Sequence, residues 1–274
     1  MKGDAKVKPV LKYRGGKGGE LSKILPLIPQ YATYIEPFFG GGALFWKLSP
    51  PKAVIGDRSG HLMRFYRQLR DESGLVLKEI ESLLLRYAEK PRMQEKERFY
   101  YAMRELYNQP DGKLTKAALF YFLNKTGYAG LLRYNKRGAF NVPFGKYKSS
   151  PQLSITPEHI HLLQRSKLVC ADYTAALQGA SSDDFIFLDP PYDATVSSYE
   201  NPFDAGEQER LAMDFKNLSC PALMIIGKTK LTEELYKKYI VGAYSKTYTV
   251  NEWAKAKNKN THLIIKNYSS SRYL

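Results

Sequence analysis

The sequence predicts an α/β protein: one sheet carrying helices, with a helical subdomain inserted between its second and third strands. Three observations predict this. Short apolar runs that end on a carboxylate or a glycine recur toward both ends of the chain, as buried strands do. Segments with apolar residues at three- and four-residue spacing fit between several of the later runs, giving a strand–helix alternation. From residue 58 to about 124 such helical segments follow one another with no strand-like run among them.

In chain order, TYIEP (33–37) reads as a short strand and FFGGGALFWKL (38–48) as a glycine turn entering a helix. AVIGD (53–57) is a second strand that ends on a carboxylate. GHLMRFYRQLR, GLVLKEIESLLLRYAEK, MQEKERFYYAMRELYN and LTKAALFYFLN read as consecutive helices, and residues 125–150, rich in Gly, Asn and aromatics, as a hairpin or loop. Strands return at 168–172, 185–189, 222–227, 243–250 and 261–268, with helices at 156–166, 206–218 and 231–239. The expected organisation is a catalytic domain of residues 1–57 and 151–274, interrupted by a helical unit over 58–150 with its hairpin at about 125–150.

The chain has 274 residues, enough for a sizeable core, and 42 Lys+Arg against 27 Asp+Glu give it a formal charge of +15. Such an excess favours an anionic partner, nucleic acid before membrane. Cys170 and Cys220, the only cysteines, sit in apolar runs and read as core thiols in a reducing compartment. No apolar stretch approaches the roughly 20 residues of a membrane span. The opening MKGDAKVKP lacks the apolar middle region of a signal peptide. A cytoplasmic protein is expected. His159 and His161 lie two apart on a predicted helix and point to different faces, and no Cys/His cluster suggests zinc, so no metal is expected.

Two glycine segments need separate readings. RGGKGG (14–19) resembles a P-loop, but Leu11 stands where the motif needs glycine and Gly18 where it needs Ser or Thr, so that reading fails. EPFFGGGALF (36–45) joins a strand end to a helix start, the place where a doubly wound sheet binds a nucleotide-like cofactor. It is not a clean G-x-G-x-x-G. Asp57 ends the next strand, 21 positions after Glu36, where an acidic residue accepts from ribose hydroxyls in this architecture. A plain structural turn is the other reading.

FIFLDPPY (185–192) adds chemistry. Neither proline can donate a backbone hydrogen bond, each φ is fixed near −65°, and the residue before each proline is kept out of the α region. The Asp189 carboxylate and the Pro190 carbonyl can therefore accept both N–H groups of an exocyclic amine, aiming the nitrogen lone pair outward at an electrophilic methyl. Tyr192 can stack on the base, a contact worth about 1–3 kcal/mol. The plainer alternative is a proline-stiffened strand exit with a solvated Asp.

With these motifs the chain resembles the Dam-type, α-group DNA adenine-N6 methyltransferases. LKYRGGK (11–17), EPFFGGGALF, Asp57, the helical insertion, LNKTGYAGLLRYNKRGAFNVPFGKYK (123–148) and DPPY follow in that family's order over nearly the whole chain. The resemblance implies a Rossmann-like methyltransferase sheet with an inserted DNA-recognition subdomain, S-adenosylmethionine as cofactor and double-stranded DNA as partner. It implies that Tyr13, Lys17, Phe38, Gly40, Asp57 and Asp189 line the cofactor site, and that Asp189, Pro190 and Tyr192 hold a flipped adenine. Tyr128 would wedge or stack at the vacated base position and Arg133 read a guanine, while Lys12, Asn135, Lys146 and Tyr147 would touch bases or phosphates. Ala129 and Lys146 stand where GATC-specific members carry Asn and Arg, which leaves the recognition site, GATC or a related sequence, open. A monomer is expected; a cognate restriction endonuclease could share the system without forming a stable complex.

The composition of the hairpin points to DNA on its own. Residues 112–157 hold no Asp or Glu but eight Lys and Arg interleaved with Tyr121, Tyr128, Tyr134 and Tyr147, which suits a phosphate-lined groove. WAKAKNKN (253–260) is a second basic segment, either a loop over the duplex or an ordinary surface loop. The rival readings are an RNA base-amine methyltransferase and a sequence-specific DNA-binding protein without catalysis.

Overall fold

The computed structural model describes residues 7–191, 203–247 and 259–269. Among these residues seven strands form one sheet in the order β3-β2-β1-β4-β5-β7-β6. They are β1 (Tyr34–Glu36), β2 (Ala53–Asp57), β3 (Ser166–Cys170), β4 (Phe185–Leu188), β5 (Ala222–Gly227), β6 (Ile240–Thr247) and β7 (Lys259–Lys266). The first five in sequence run parallel; β7 is antiparallel to both β5 and β6. The order reverses between β1 and β4, and the crevice at such a switch point, beyond the carboxyl ends of the strands, is where open α/β sheets bind ligands.

The central strand β4 is apolar and buried at all four positions because both faces of the sheet are covered there. Phe185 and Phe187 of β4 enter one core with Tyr34, Ile55, Leu223 and Ile225. Ile186 and Leu188 enter the other with Ile35, Met224 and Ile226. The helices in chain order are α1 (Leu21–Ile24), α2 (Ala43–Leu48), α3 (Gly60–Asp71), α4 (Ser73–Ala88), α5 (Met93–Asn108), α6 (Lys116–Thr126), α7 (Pro157–Gln164), α8 (Tyr173–Leu177), α9 (Ala205–Lys216) and α10 (Lys230–Tyr236). Helices α3 to α6 lie in sequence between β2 and β3. Helix α3 packs on β2 and β3 as well as on α4 and α6, so it is shared between the sheet and the helical insertion. Helix α6 is buried nearly all round, as its unbroken KAALFYFLN text requires.

The expected elements at 53–57, 93–108 and 222–227 match their observed bounds. Others shift for identifiable reasons. The third strand starts at Ser166 because its first residues pair with Ala53 and Val54. It stops at Cys170 because Asp172 caps α8, its side chain accepting from Thr174 N. Both α8 and the short helical turns over 17–27 escape a periodicity reading because they are too short to show a period.

The segment read as a hairpin or loop is a long loop with two isolated antiparallel bridges, Gly127 with Phe144 and Tyr134 with Phe140. Side chains hold it down where a ladder would. Phe140, Val142 and Phe144 are buried against the helices, and Asn108 bonds both backbone groups of Phe140, at 2.8 and 3.1 Å. Tyr100 Oη donates to the Val142 carbonyl at 2.9 Å. Tyr134 stacks on His61 with ring centroids 4.1 Å apart. Cys170 and Cys220 are free thiols, and among the described residues no helix is long and apolar enough to cross a membrane.

Candidate active site

Glycines turn the chain from β1 into α2 where a side chain could not fit. Gly40 and Gly42 have φ of +49° and +63°, a region in which other residues are strained. A Cβ on Gly40 would come within 2.7 Å of Tyr13 Cε1, and one on Gly41 within 2.8 Å of Tyr13 Cβ. Tyr13 thus lies directly on the turn. Asp57 fastens the turn from below: its Oδ2 accepts from Gly40 N at 2.9 Å and its Oδ1 from Ser59 N at 2.9 Å. Burial pushes the Asp57 carboxyl upward against these backbone donors. A cavity of about 210 Å³ lies between the N-terminal segment and the turn, lined by Leu11, Tyr13, Gly16, Gly18, Gly41 and Ala43 among others.

Beside the turn stands a charged cluster at the switch point. Lys17, only 2% exposed, sets its ammonium 2.5 Å from Asp189 Oδ1 and 3.3 Å from the Gly15 carbonyl. Asp189 follows β4 directly, and Pro190 behind it is buried. Glu36, the last residue of β1, is buried, and Tyr34 Oη donates to its Oε2 at 2.8 Å. Burial pushes its carboxyl well above the ordinary value; Tyr34 opposes that, Asp189 adds to it and Lys17 opposes it. Sequence reasoning did not single out Glu36, although its place before Pro37 at a central strand end was a usable signal. Tyr192 lies outside the described residues.

The same N-terminal turn carries a second anchor. Glu20, three residues after Lys17, accepts from His262 Nδ1 at 2.8 Å and from Tyr244 Oη and Lys246 Nζ. Burial pushes the Glu20 carboxyl up, but the bonds from His262, Lys246 and Tyr244 outweigh burial and bring it down to about 2. A depressed folded-state value means stability that is complete above the ordinary 4.5 and drains away as pH falls toward about 2, on the order of 3 kcal/mol for a shift of that size. Glu20→Gln should therefore flatten the acid limb of a plot of melting temperature against pH. An unchanged slope across that window would show that the cluster contributes no linkage.

On the other side of the crevice, the Phe38 ring stacks on Tyr173 at 5.3 Å and meets Phe203 edge-on at 5.7 Å. Asp172, next to Tyr173, accepts from both Arg210 nitrogens at 3.2 and 2.8 Å and from Arg58 Nη2 at 2.8 Å. Burial raises the Asp172 carboxyl, and Arg210 and Thr174 more than reverse this, to about 2. Neither Asp172 nor Tyr173 was singled out from sequence; an acidic residue just beyond a parallel strand, as at Asp189, was the available signal.

The expected DNA contacts sit on the insertion side. Asn124 on α6 exchanges two 2.8 Å bonds with the backbone of Lys12, which ties the segment carrying Tyr13 and Lys17 to the helices. Lys12 Nζ lies 3.9 Å from the centroid of the Tyr147 ring and donates to the Lys125 carbonyl. Tyr147 Oη donates to Gly127 O at 3.1 Å. Tyr128 is half-buried and opens a short turn in which Ala129 has φ +53°. Arg133 is exposed, and Asn141 accepts from its Nε at 2.8 Å and its Nη2 at 3.0 Å. Asn135 Oδ1 accepts from Arg137 N and Ala139 N, so that oxygen already serves its own turn. Lys146 is exposed with φ +50°.

Residues 13–259 match the family of D12 class N6 adenine-specific DNA methyltransferases. The type II methyltransferase M.CviBI of Paramecium bursaria Chlorella virus NC1A is 34% identical over 272 residues, which span 96% of this chain and 100% of that one. The type II methyltransferase M1.LlaDCHI of Lactococcus lactis subsp. cremoris is 31% identical over 292 residues, with 98% and 99% covered. The DNA adenine methylase of Vibrio cholerae serotype O1 is 29% identical over 273 residues, with 94% and 95% covered. The match takes in both sides of the crevice, from Tyr13 on the glycine turn past Asp189 at the end of β4, and the chain therefore belongs to the D12 class of N6 adenine-specific DNA methyltransferases.

Proposed function

We propose that the chain transfers a methyl group from S-adenosylmethionine to adenine N6 within a short duplex sequence, GATC or a related site, after turning the base out of the stack. A base edge inside a duplex cannot reach a crevice at a sheet end, so chemistry there requires an extruded base. The observation that carries the reading is the meeting of Asp189 and Pro190 with Lys17, Glu36 and the glycine turn at the switch point. Two acceptors, the Asp189 carboxylate and the Pro190 carbonyl, hold the two N–H groups of the target amine and aim its lone pair. Tyr192 stacks on the base.

The donor set suits the cofactor. Asp57 keeps acceptor capacity beyond its backbone bonds and can take the ribose hydroxyls. Phe38, stacked on Tyr173, offers an apolar wall. Tyr13, Gly40 and Lys17 close the other side, with the side chains of Lys17, Glu36 and Asp189 available to the amino-acid end. S-adenosylmethionine would supply the methyl group on a sulfonium, which needs no metal. The test is a radiolabelled methyl-transfer assay on unmethylated duplex DNA and on RNA, followed by methylation-aware sequencing of DNA from an expressing host that lacks other methylases. Label in DNA at adenine within one short motif is expected. Label confined to RNA would overturn the reading.

Residues 58–150 form the recognition unit in this reading, working as part of a monomer on the duplex. Lys12, Tyr128, Asn135, Lys146 and Tyr147 lie along its DNA side, and Tyr128 fills the space left by the flipped base. Asn141 holds Arg133 by Nε and one Nη2 hydrogen, which leaves the Nη1–Nη2 edge for guanine O6 and N7. Arg133→Ala should cost about 1–3 kcal/mol on the cognate duplex and relax preference at one base pair. Lys148→Ala should weaken all duplexes alike and lower the salt slope by about one. A panel of single-base-substituted duplexes, titrated at two salt concentrations, separates the two. Equal loss on every duplex for Arg133→Ala would make it a phosphate contact.

A further inference from the structure

Pro190 and Pro191 have no N–H, so the chain after β4 cannot be held through its own donors. Its placement depends on what donates to it. Lys17 holds one end through Asp189 Oδ1. At the other end Gln208 Nε2 donates to the Pro191 carbonyl at 3.1 Å. A peptide carbonyl only accepts, so the amide must present its nitrogen there. Gln208 is 5% exposed, and its Oε1 accepts no hydrogen bond among the described residues. A helix face that needed only burial would be served better by Leu or Met, which leave no buried acceptor without a donor.

The helix that carries Gln208 is itself fixed at several points. Asp204 caps α9 by accepting from Glu207 N at 2.9 Å, and Leu211, Ala212 and Phe215 are buried in the core under β4 and β5. One residue pair on, Arg210 grips Asp172 through two nitrogens and Glu207 at 2.6 Å. Through Gln208 and Arg210, helix α9 therefore touches both the segment after β4 and the segment after β3.

We infer that Gln208 is a positioning residue for methyl transfer, setting the direction of the Pro190 carbonyl by pinning Pro191. With both proline φ angles fixed and the segment held at Asp189 and at Pro191, the carbonyl between the two pins has little freedom left. This rests on the role proposed above for Asp189 and Pro190. Pre-set acceptor geometry matters because a displacement of about 1 Å at a reacting group can cost 10²-fold in rate.

The test compares Q208M, of similar volume but with no donor, and Q208E with the wild type and with Asp189→Asn. We expect Q208M to lose roughly 10- to 100-fold in kcat while KM for DNA and cofactor affinity stay within about threefold, the pattern of an interaction that serves the transition state. Q208E should lose a similar factor at about pH 8 and recover relative to wild type toward about pH 6, as its carboxyl gains a proton and donates again. Should Q208M melt before it can be assayed, the Q208E ratio carries the test. Wild-type kcat in Q208M, or a Q208E-to-wild-type ratio that does not change with pH, would overturn the inference. Full turnover in Asp189→Asn would instead overturn the underlying role of the DPPY segment, so the two failures are distinct.

Discussion

Asp189→Ala is expected to abolish methyl transfer while DNA is still bound. One charge-assisted hydrogen bond is worth roughly 1.5–3 kcal/mol, about 10- to 150-fold in rate. Loss of aim at the lone pair multiplies that factor. The structure adds a consequence for stability: Asp189 is the carboxylate at 2.5 Å from the ammonium of Lys17, which is 2% exposed. Alanine removes that counter-charge, so a lower melting temperature should accompany the loss of turnover. Asp189→Asn separates the two effects, since its amide oxygen can still accept from Lys17 while the charge and one acceptor are gone. Both variants should be compared with wild type by single-turnover methyl transfer and by thermal melting. Retention of more than about a tenth of wild-type activity in either, a difference of only about 1.4 kcal/mol, would refute the role given to Asp189.

How far the text of the chain disclosed this site depends on the distance over which each residue acts. Asp57 and the three glycines were legible because strand, turn and helix follow one another within about twenty residues, and the spacing itself encodes the geometry. Strand β4 was legible because all four of its residues are apolar, a direct result of cores on both faces of the sheet. Glu20 was not, because its partners Tyr244, Lys246 and His262 come from strands more than 220 positions away. Asn124 was hidden for the same reason: its partner is the backbone of Lys12, 112 positions back, and backbone partners leave no mark in a sequence. Arg133 was read as a base-contacting fork, yet its hold by Asn141 could not be foreseen, since the loop is shaped by side chains and isolated bridges, not by a regular ladder. Residues within one element announce themselves by period; residues that join elements do so only through the fold.

Lys17→Met should be strongly destabilising, and it tests the ion pair from its other side. Removing one member of a fully buried pair costs about 3–5 kcal/mol because the remaining charge keeps its desolvation penalty; with 20% of its side chain exposed, Asp189 sets the expected loss at or below the lower end of that range. Here the remaining charge is the Asp189 carboxylate, next to Glu36, whose carboxyl is already raised by burial and by Asp189 itself. Two carboxyl groups would then face each other without the Lys17 ammonium that opposes the rise. The double variant Lys17→Met/Asp189→Asn removes both charges, and its melting temperature should return most of the way to wild type, since an apolar or neutral replacement of a whole buried pair is often close to neutral. Methyl transfer should not return, because the acceptor that aims the target amine is still missing. The measurement is a double-mutant cycle in melting temperature or urea midpoint, run alongside the transfer assay. Additive losses of stability would mean that Lys17 and Asp189 do not depend on each other. Recovered activity in the double variant would mean that the pair serves the fold and that the acceptor for the target amine lies elsewhere.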